Sequence, residues 1–392
     1  MNVPIKSKND VAIPPSGYVF AFIDSNDMQL KAKLSNGTVV NYTSIDEDVK
    51  VMSLTDYTAF EVMPNKVAIN PGTVDKDTGL TYSISVPACT EHKFTLRSVQ
   101  EPEDCDVVID WGDGTVESIK EGNFVSHSSG KSYELSHDYS SKMNGDIQRF
   151  IVKIYGKDYY TFRNNSYVTT SKDKYSIPSI VSSSYNLISR IFDKDLPIAS
   201  HVSNFASMCY GAMRLLKVNV PHSTKYITSG FNFSSTFQYC QNLKVVEGFE
   251  DNPIPCNSFV GNIFAYCLNL EKTDFVIPTS TNTIGYIFYY CENLTSDISK
   301  LIPSNGFAVD NVRSELAFAK TTKLTGSIPS KLLWDSNKTF VKCSSAFRDS
   351  SLKNQAPVSW GGTADDSIIE PSLEERIKAL EEAMSNTLAL DK

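Results

Sequence analysis

The sequence lacks most of the patterns that mark enzymes and membrane proteins. No run of 18 or more apolar residues occurs in its 392 residues, so no segment is predicted to span a membrane. The Gly-x-Ser-x-Gly elbow, the phosphate loop, His-Glu-x-x-His and Gly-x-Gly-x-x-Gly are all missing. We therefore predict no catalytic residue and no cofactor, and interpret the chain as a non-enzyme.

Basic clusters and paired metal ligands are scarce as well. The net charge is −8 and no cluster of lysine or arginine stands out, which argues against nucleic acid as a partner. No two of the eight cysteines have Cys-x-x-Cys spacing and the five histidines do not cluster with them, so no metal site is predicted. The N-terminus has no apolar segment of the length of a secretory signal, and we expect a protein that is not exported by that route.

What the second half of the chain does contain is a repeat. Each copy has an aromatic or soft residue, a small residue three positions later and, in all but the last copy, a leucine three positions after that. The six copies begin at Cys209, Phe237, Phe264, Phe288, Phe318 and Phe347. Their leucines lie 24 to 30 residues apart, a period typical of stacked solenoid repeats. Each copy is predicted to be a helical turn followed by a short strand, with the repeated side chains buried between neighbours.

The repeat also places cysteines and tyrosines in columns. Cys209, Cys240, Cys267 and Cys291 fall at or beside core positions, where we expect reduced, buried thiols.

The tyrosines Tyr239, Tyr266 and Tyr290 directly precede three of these cysteines, and stacking would align them into a ladder. Such a ladder is a candidate site for sugars or peptides, because a flat ring gives contact area at little entropic cost. Packing between repeats explains the same residues, and both interpretations stay open.

These copies resemble the BspA-like leucine-rich repeats of bacterial surface proteins, in which a Phe-x-x-Cys-x-x-Leu turn precedes a short strand. The resemblance covers roughly 150 residues. It implies a recognition or structural scaffold rather than a catalytic pocket.

Residues 78–165 predict a separate β-sandwich. Its Trp-Gly-Asp-Gly-Thr string at 111–115, the His-Asp-Tyr at 137–139 and the strand at 150–155 resemble polycystic-kidney-disease-type immunoglobulin-like domains. The resemblance implies a spacer or adhesive module without catalysis. Asp110 and Asp113 have the oxygen ligands that calcium prefers, but an aspartate between two glycines is also the expected turn residue, so no metal is assigned.

Residues 1–77 are predicted to form hairpins, with strands at 18–24 and 29–34 and turn residues between and after them. This opening resembles the N-terminal part of head and tail fibre proteins of tailed phages, in particular the crAss-like group, over roughly 45 residues. The resemblance implies an attachment module that docks the rest of the molecule onto a virion.

Residues 361–392 are predicted to be a linker and a helix. Leu373, Ile377, Leu380 and Met384 alternate steps of four and three, which is the seam of a coiled coil. Two heptads are too few for a stable coil alone, so the helix is predicted to act as a local oligomer clasp, most simply in a homotrimer, or as a dock on another protein. A helix lying on its own chain is the alternative.

The sequence thus predicts a multidomain, mainly β chain with α/β repeats. Its parts are attachment hairpins (1–77), an immunoglobulin-like sandwich (78–165), a leucine-rich-repeat solenoid (166–360) and a C-terminal coiled-coil helix (361–392). We expect a virion structural protein, a head fibre or decoration fibre of a tailed phage, assembled in the bacterial cytoplasm. It would contact capsid proteins through its N-terminus and a host-surface glycan or protein through its outer modules. A tail fibre or receptor-binding protein and a bacterial cell-surface adhesin are the alternatives.

Overall fold

The computed structural model is mainly β with few helical residues, as the sequence predicts. It describes residues 5–14, 18–27, 29–34, 36–41, 50–52, 57–98, 107–119, 125–127, 130–155, 160–163, 186–193, 195–197, 205–219, 233–249 and 259–364. Within these ranges no helix is long and apolar enough to cross a membrane. The C-terminal segment that carries the predicted coiled-coil seam lies outside the described residues.

Nearly all of the regular structure consists of short strands. The strands are β1 (Ile5–Lys6), β2 (Tyr18–Asp24), β3 (Leu30–Leu34), β4 (Val39–Asn41), β5 (Lys50–Met52), β6 (Tyr57–Val62), β7 (Glu91–Ser98), β8 (Val107–Asp110), β9 (Val116–Ile119), β10 (Val125–His127), β11 (Gly130–Asp138), β12 (Phe150–Tyr155), β13 (Tyr160–Arg163), β14 (Ile188–Arg190), β15 (Lys217–Asn219), β16 (Val245–Glu247), β17 (Lys272–Thr273), β18 (Val312–Arg313) and β19 (Phe340–Val341). Among the described residues the helices are α1 (Ile298–Leu301) and the 3₁₀ segments Ser330–Leu332, Lys353–Gln355 and Val358–Trp360.

The first sheet contains the predicted N-terminal hairpin. β2 pairs antiparallel with β3, β4 follows β3, and both β1 and β5 lie along β2. Phe20 and Phe22 of β2 are buried together with Val108 and Tyr155 of the neighbouring sheet, and the rings of Phe20 and Tyr155 lie 5.4 Å apart. This apolar face of the hairpin is therefore covered by the chain itself.

Two further sheets share one core. Their strand orders are β14-β6-β12-β8-β9 and β10-β11-β7-β13. The ring of Phe94 on β7 lies 6.1 Å from that of Phe60 on β6 and 5.7 Å from that of Trp111, which follows β8. Five of the six residues of β6 are buried, the pattern of a strand covered on both faces, and it pairs with β12 on one side and β14 on the other. From the sequence, β6 is predicted to belong to the attachment hairpins (1–77) and β14 to the solenoid (166–360). In the structure both strands are part of this sheet.

The described residues 205–219, 233–249 and 259–364 form a stack of coils. β15, β16 and β17 pair in parallel, one strand from each of three successive coils, and β18 pairs in parallel with β19 further along. Parallel pairing of consecutive short strands requires each coil to return to the same place one strand spacing further on, about 4.8 Å. Each coil therefore lies directly above the previous one.

The predicted helical turns are not helical. In the coil around Phe237, the amide of Cys240 donates to the carbonyl of Phe237 in the same coil (3.0 Å), whereas the amide of Tyr239 donates to Ala265 of the next coil (2.9 Å). Alternate amides thus point along the stack, which an α-helix, with its amides bonded internally, does not permit. The coil therefore contains a run of β-turns. The residues two positions before and two positions after the repeat phenylalanine have left-handed backbone, as at Ser235 (φ 58°) and Tyr239 (φ 63°).

The repeated side chains fill the interior as predicted. Phe264 is fully buried and stacks between Phe237 (ring centroids 5.6 Å apart) and Phe288 (5.4 Å). The repeat leucines are buried in every coil, at Leu215, Leu243, Leu270, Leu294, Leu324 and Leu352. Residues at equivalent positions of successive repeats therefore contact one another along the stack.

The four repeat cysteines are free and buried. Each of three thiols donates to a carbonyl of the preceding coil: Cys240 to Cys209 (2.9 Å), Cys267 to Phe237 (3.0 Å) and Cys291 to Phe264 (3.1 Å). Burial raises the pKa of the Cys267 thiol well above its ordinary value, and that of Cys240 and Cys291 likewise. These thiols therefore contribute to packing and are not poised for chemistry.

The buried thiols predict a loss of stability in alkali. Above about pH 8.5 the unfolded chain releases thiol protons that the folded chain keeps, so the stability present below that pH decreases as pH rises toward the folded pKa. The expected slope is about 1.4 kcal/mol per pH unit for each thiol. Guanidinium unfolding between pH 8 and 10 measures it. Cys267→Ser, whose hydroxyl does not titrate there, should reduce the slope by the share of one thiol, and a flat profile would contradict the interpretation.

Candidate functional site

The predicted tyrosine ladder lies on the turn side of the stack. The rings of Tyr239 and Tyr266 are 4.6 Å apart and inclined by 15°, and those of Tyr266 and Tyr290 are 5.3 Å apart and inclined by 11°. Tyr289 packs edge-on against Tyr266 with 5.2 Å between centroids. Ala265 and Ala319 are fully buried in the same cluster, and their small side chains leave space for the rings.

The ladder offers little ring surface to a ligand. Tyr266 is only 6% exposed, because Tyr239 covers one face of its ring and Tyr290 covers the other. Burial raises the pKa of Tyr266, so its hydroxyl stays neutral. A sugar that stacks on an aromatic platform needs an exposed ring face. The geometry thus favours packing between coils, while ligand binding by Tyr239, Tyr266 and Tyr290 stays a prediction.

All three ladder tyrosines have left-handed backbone, with φ of 63°, 62° and 60°. A non-glycine residue costs about 1 to 2 kcal/mol in this conformation, so the stacked rings have to compensate. We expect Tyr266→Ala to destabilise the stack by about 3 kcal/mol, since it removes the ring and keeps the strain. Tyr266→Gly should be about 1 kcal/mol more stable than Tyr266→Ala, because glycine is unstrained there. Urea unfolding of both variants and of the native chain measures the differences. An alanine variant more stable than the glycine variant would contradict the strain at this position, and an alanine variant as stable as the native chain would contradict the role of the rings.

The column continues through two charged residues that sequence reasoning missed. Lys320 (φ 64°) and Asp349 (φ 57°) occupy the ladder position in the next two coils. Their side chains form an ion pair of 2.8 Å, and Nζ of Lys320 lies 6.0 Å from the centroid of the Tyr290 ring. The signal was present in the sequence, since both residues stand two positions after a repeat phenylalanine.

A polar groove of about 870 Å³ lies away from the tyrosine ladder, at the ends of the parallel strands. Its lining residues are Asn219, Glu247, Gly248, Lys272, Thr273, Asp274, Val276, Thr295, Ser296, Asp297, Ser299, Lys300, Ile302 and Ser304. Asn219 and Glu247 are register partners in β15 and β16, and the amide of Asp274 donates to Val246 in β16. Asn219, Glu247 and Asp274 each stand ten positions after the first residue of their repeat, a regularity that the sequence analysis did not use.

The carboxylates of this groove are held by fixed donors. Asp274 accepts the amides of Gly248 (2.7 Å) and Phe249 (3.2 Å). Asp297 caps α1 by accepting the hydroxyl (2.7 Å) and the amide (2.9 Å) of Ser299, and these bonds lower the pKa of Asp297.

Glu247 is paired with Lys217 (2.9 Å) and Lys272 (3.5 Å), and the hydrogen bond from Lys217 is the main reason for the lowered pKa of Glu247. Glu247 and Asp297 are therefore ionised at neutral pH, and bonds from the protein hold both of them and Asp274 in position.

The stack is joined to the sandwich through buried polar side chains. Arg214 is 1% exposed, and its guanidinium donates to Asn65 Oδ1 (2.5 and 3.1 Å) and to the carbonyls of Pro87 (3.3 Å) and Asn186 (3.4 Å). Burial lowers the pKa of Arg214 to about 10. One coil further on, Asn242 accepts the amides of two residues in the 83–84 segment and donates to the carbonyl of Met213 (3.0 Å). The two parts are thus fastened to each other at residues that belong to the repeat.

The two aspartates considered for calcium lie in a tight turn. Asp110 accepts the amide of Gly112 (2.9 Å), and Asp113 accepts the amide of Thr115 (2.8 Å) and lies 2.8 Å from Nε2 of His137. Burial acts to raise the pKa of Asp113, but the bonds from His137 and Thr115 lower it overall. Gly112 has a φ of +80°, and a Cβ there would lie 2.4 Å from the carbonyl oxygen of Ile151. Within the described ranges no group of three metal-ligating side chains occurs.

The oligomerisation residues Leu373, Ile377, Leu380 and Met384 lie outside the described residues, so their role stays a prediction. Comparison of the chain with protein-family models, with curated proteins and with solved structures gave no match.

Proposed function

We propose that the chain is a non-enzymatic virion structural protein, a head fibre or decoration fibre of a tailed phage. The observation that carries the proposal is the closed interior of the stack. Aromatic rings, thiols and leucines fill it from coil to coil, so that only the outer surface of the coils is available for contacts. A rigid stack that is joined to a β-sandwich is better suited to presenting a binding surface than to catalysing a reaction.

In this proposal the coils are leucine-rich repeats of the BspA-like type and the sandwich is an immunoglobulin-like domain. The repeated ring, thiol and leucine columns support the first assignment, and the Trp111 to Thr115 turn supports the second. The N-terminal sheet would attach to capsid proteins. Because Phe20 and Phe22 are covered by the chain itself, that attachment has to use other parts of the sheet.

Purified phage particles provide the test. We expect mass spectrometry to detect the protein in particles banded on a density gradient, and an antibody against the stack to label the heads. Labelling of tails alone would assign it to a tail fibre. Absence from the particles, together with recovery from the surface of bacterial cells, would replace the proposal with that of a bacterial adhesin.

The C-terminal segment is proposed to join three chains. Light scattering of the full chain and of a chain ending at residue 360 should then give a trimer and a smaller species. An unchanged mass would remove the helix from this role.

A further inference from the structure

The polar groove across the strand ends has a composition that selects for one kind of ligand. It crosses four successive coils, from Asn219 through Glu247 and Asp274 to Asp297. Neighbouring parallel strands lie about 4.8 Å apart, so the groove is roughly 14 Å long. That length suits an extended oligomer that follows the stack.

The described lining of the groove mixes hydrogen-bond donors and acceptors. Lys272 and Lys300 only donate, the carboxylates of Asp274 and Asp297 only accept, and the hydroxyl of Ser304 does both. Bonds from the protein hold the carboxylates of Asp274 and Asp297 in fixed positions. A ligand with many hydroxyl groups, each of which donates and accepts, matches this mixture of donors and acceptors.

Other classes of ligand match it less well. Among the described lining residues there are three carboxylates and two ammonium groups, and one of the carboxylates, that of Glu247, is also paired with Lys217. This part of the groove therefore has no strong excess of either sign that would attract a polyanion or a polycation. Among the residues that the structure describes, only Val276 and Ile302 bring aliphatic side chains to the lining, which leaves little area there for an apolar compound. No aromatic ring occurs among the described residues of the lining, so binding to this part of the groove has to depend on hydrogen bonds rather than on stacking.

We infer that the groove binds a segment of a neutral oligosaccharide, extended along the stack axis. The inference deepens the proposed function, on which it rests for the presence of glycans at a host surface. It also places glycan contact on the strand side of the coils and away from the tyrosine ladder.

Titration of the full chain with defined probes tests the inference. The probes are neutral hexasaccharides of glucose, mannose and N-acetylglucosamine, a uronic-acid hexasaccharide and an uncharged extended hexapeptide. We expect at least one neutral hexasaccharide to bind and the uronic-acid probe not to bind. Failure of every neutral probe, or binding of only the uronic-acid probe or the peptide, would overturn the inference.

Matched variants locate the binding. Ser304 is exposed in the groove, so Ser304→Trp should fill it and weaken binding at least tenfold. Asn282→Trp, at an exposed position outside the groove, is the control and should leave binding unchanged. Asp297→Asn keeps an oxygen to cap α1 and should weaken binding several-fold. Neutral-probe binding that survives Ser304→Trp would place the glycan elsewhere and refute the assignment of the groove.

Failure of this inference is distinguishable from failure of the proposed function. The protein can be present in phage particles while the groove binds no probe, and it can bind a glycan while being absent from them. The titration and the particle analysis therefore give independent answers.

Discussion

Phe264→Ala is expected to destabilise the stack by about 3 to 5 kcal/mol, because it opens a cavity in the middle of the ring column. Its ring contacts Phe237 and Phe288 face to face and Phe275 edge-on at 5.4 Å, so three rings lose a partner at once. Guanidinium unfolding followed by tryptophan fluorescence measures the loss, since Trp334 and Trp360 pack in the last coils of the stack.

Phe259→Ala is the matched control for this experiment. The same residue type lies close by in the sequence but is 48% exposed, so the expected loss is below about 1 kcal/mol. Phe264→Leu refills part of the space and should cost about 1 to 2 kcal/mol. If the Phe264 and Phe259 variants lost equal stability, a stack sealed by its ring column would be the wrong description.

Arg214→Ala is expected to cost about 3 kcal/mol or more and to separate the unfolding of the stack from that of the sandwich. The substitution leaves Asn65 Oδ1 and the Pro87 and Asn186 carbonyls without this buried donor, and each lost bond costs about 1 to 3 kcal/mol. Calorimetry should show one transition in the native chain and two in the variant.

Two variants sharpen this prediction. Arg214→Lys keeps the charge but not the planar fork that reaches several oxygens, so its loss should be intermediate. Lys244→Ala removes a residue at the rim of the same junction, where Nζ lies 3.4 Å from the Thr81 hydroxyl, and should cost less than about 1 kcal/mol. A single unshifted transition in Arg214→Ala would show that the fastening lies elsewhere.

The side chains buried inside the stack could be predicted from the sequence because the coils repeat. Phe237, Phe264 and Phe288 occupy equivalent positions in three coils, and coils that lie directly above one another place equivalent residues in contact. The same rule predicted the buried thiols and the alignment of Tyr239 with Tyr266. The hairpin of β2 and β3 was likewise predictable, since alternation and turn residues are local signals.

The turn geometry could not be predicted in this way. Spacings of three are shared by a helical turn and by a run of β-turns, and what separates them is the direction of alternate amides toward the next coil. That direction depends on a neighbour which the local sequence does not contain. The left-handed backbone at Tyr239, Tyr266 and Tyr290 follows from the same contacts.

The sequence by itself determined which side chains are buried in the coils and that the protein is mainly β, because periodicity and β-forming segments are local or repeated. The tertiary structure alone decided that β6 and β14 join the sandwich, that Arg214 fastens the stack to it, and that polar residues from four coils line one groove. Each of these depends on contacts between segments that are distant in the chain, so only the folded arrangement brings them together.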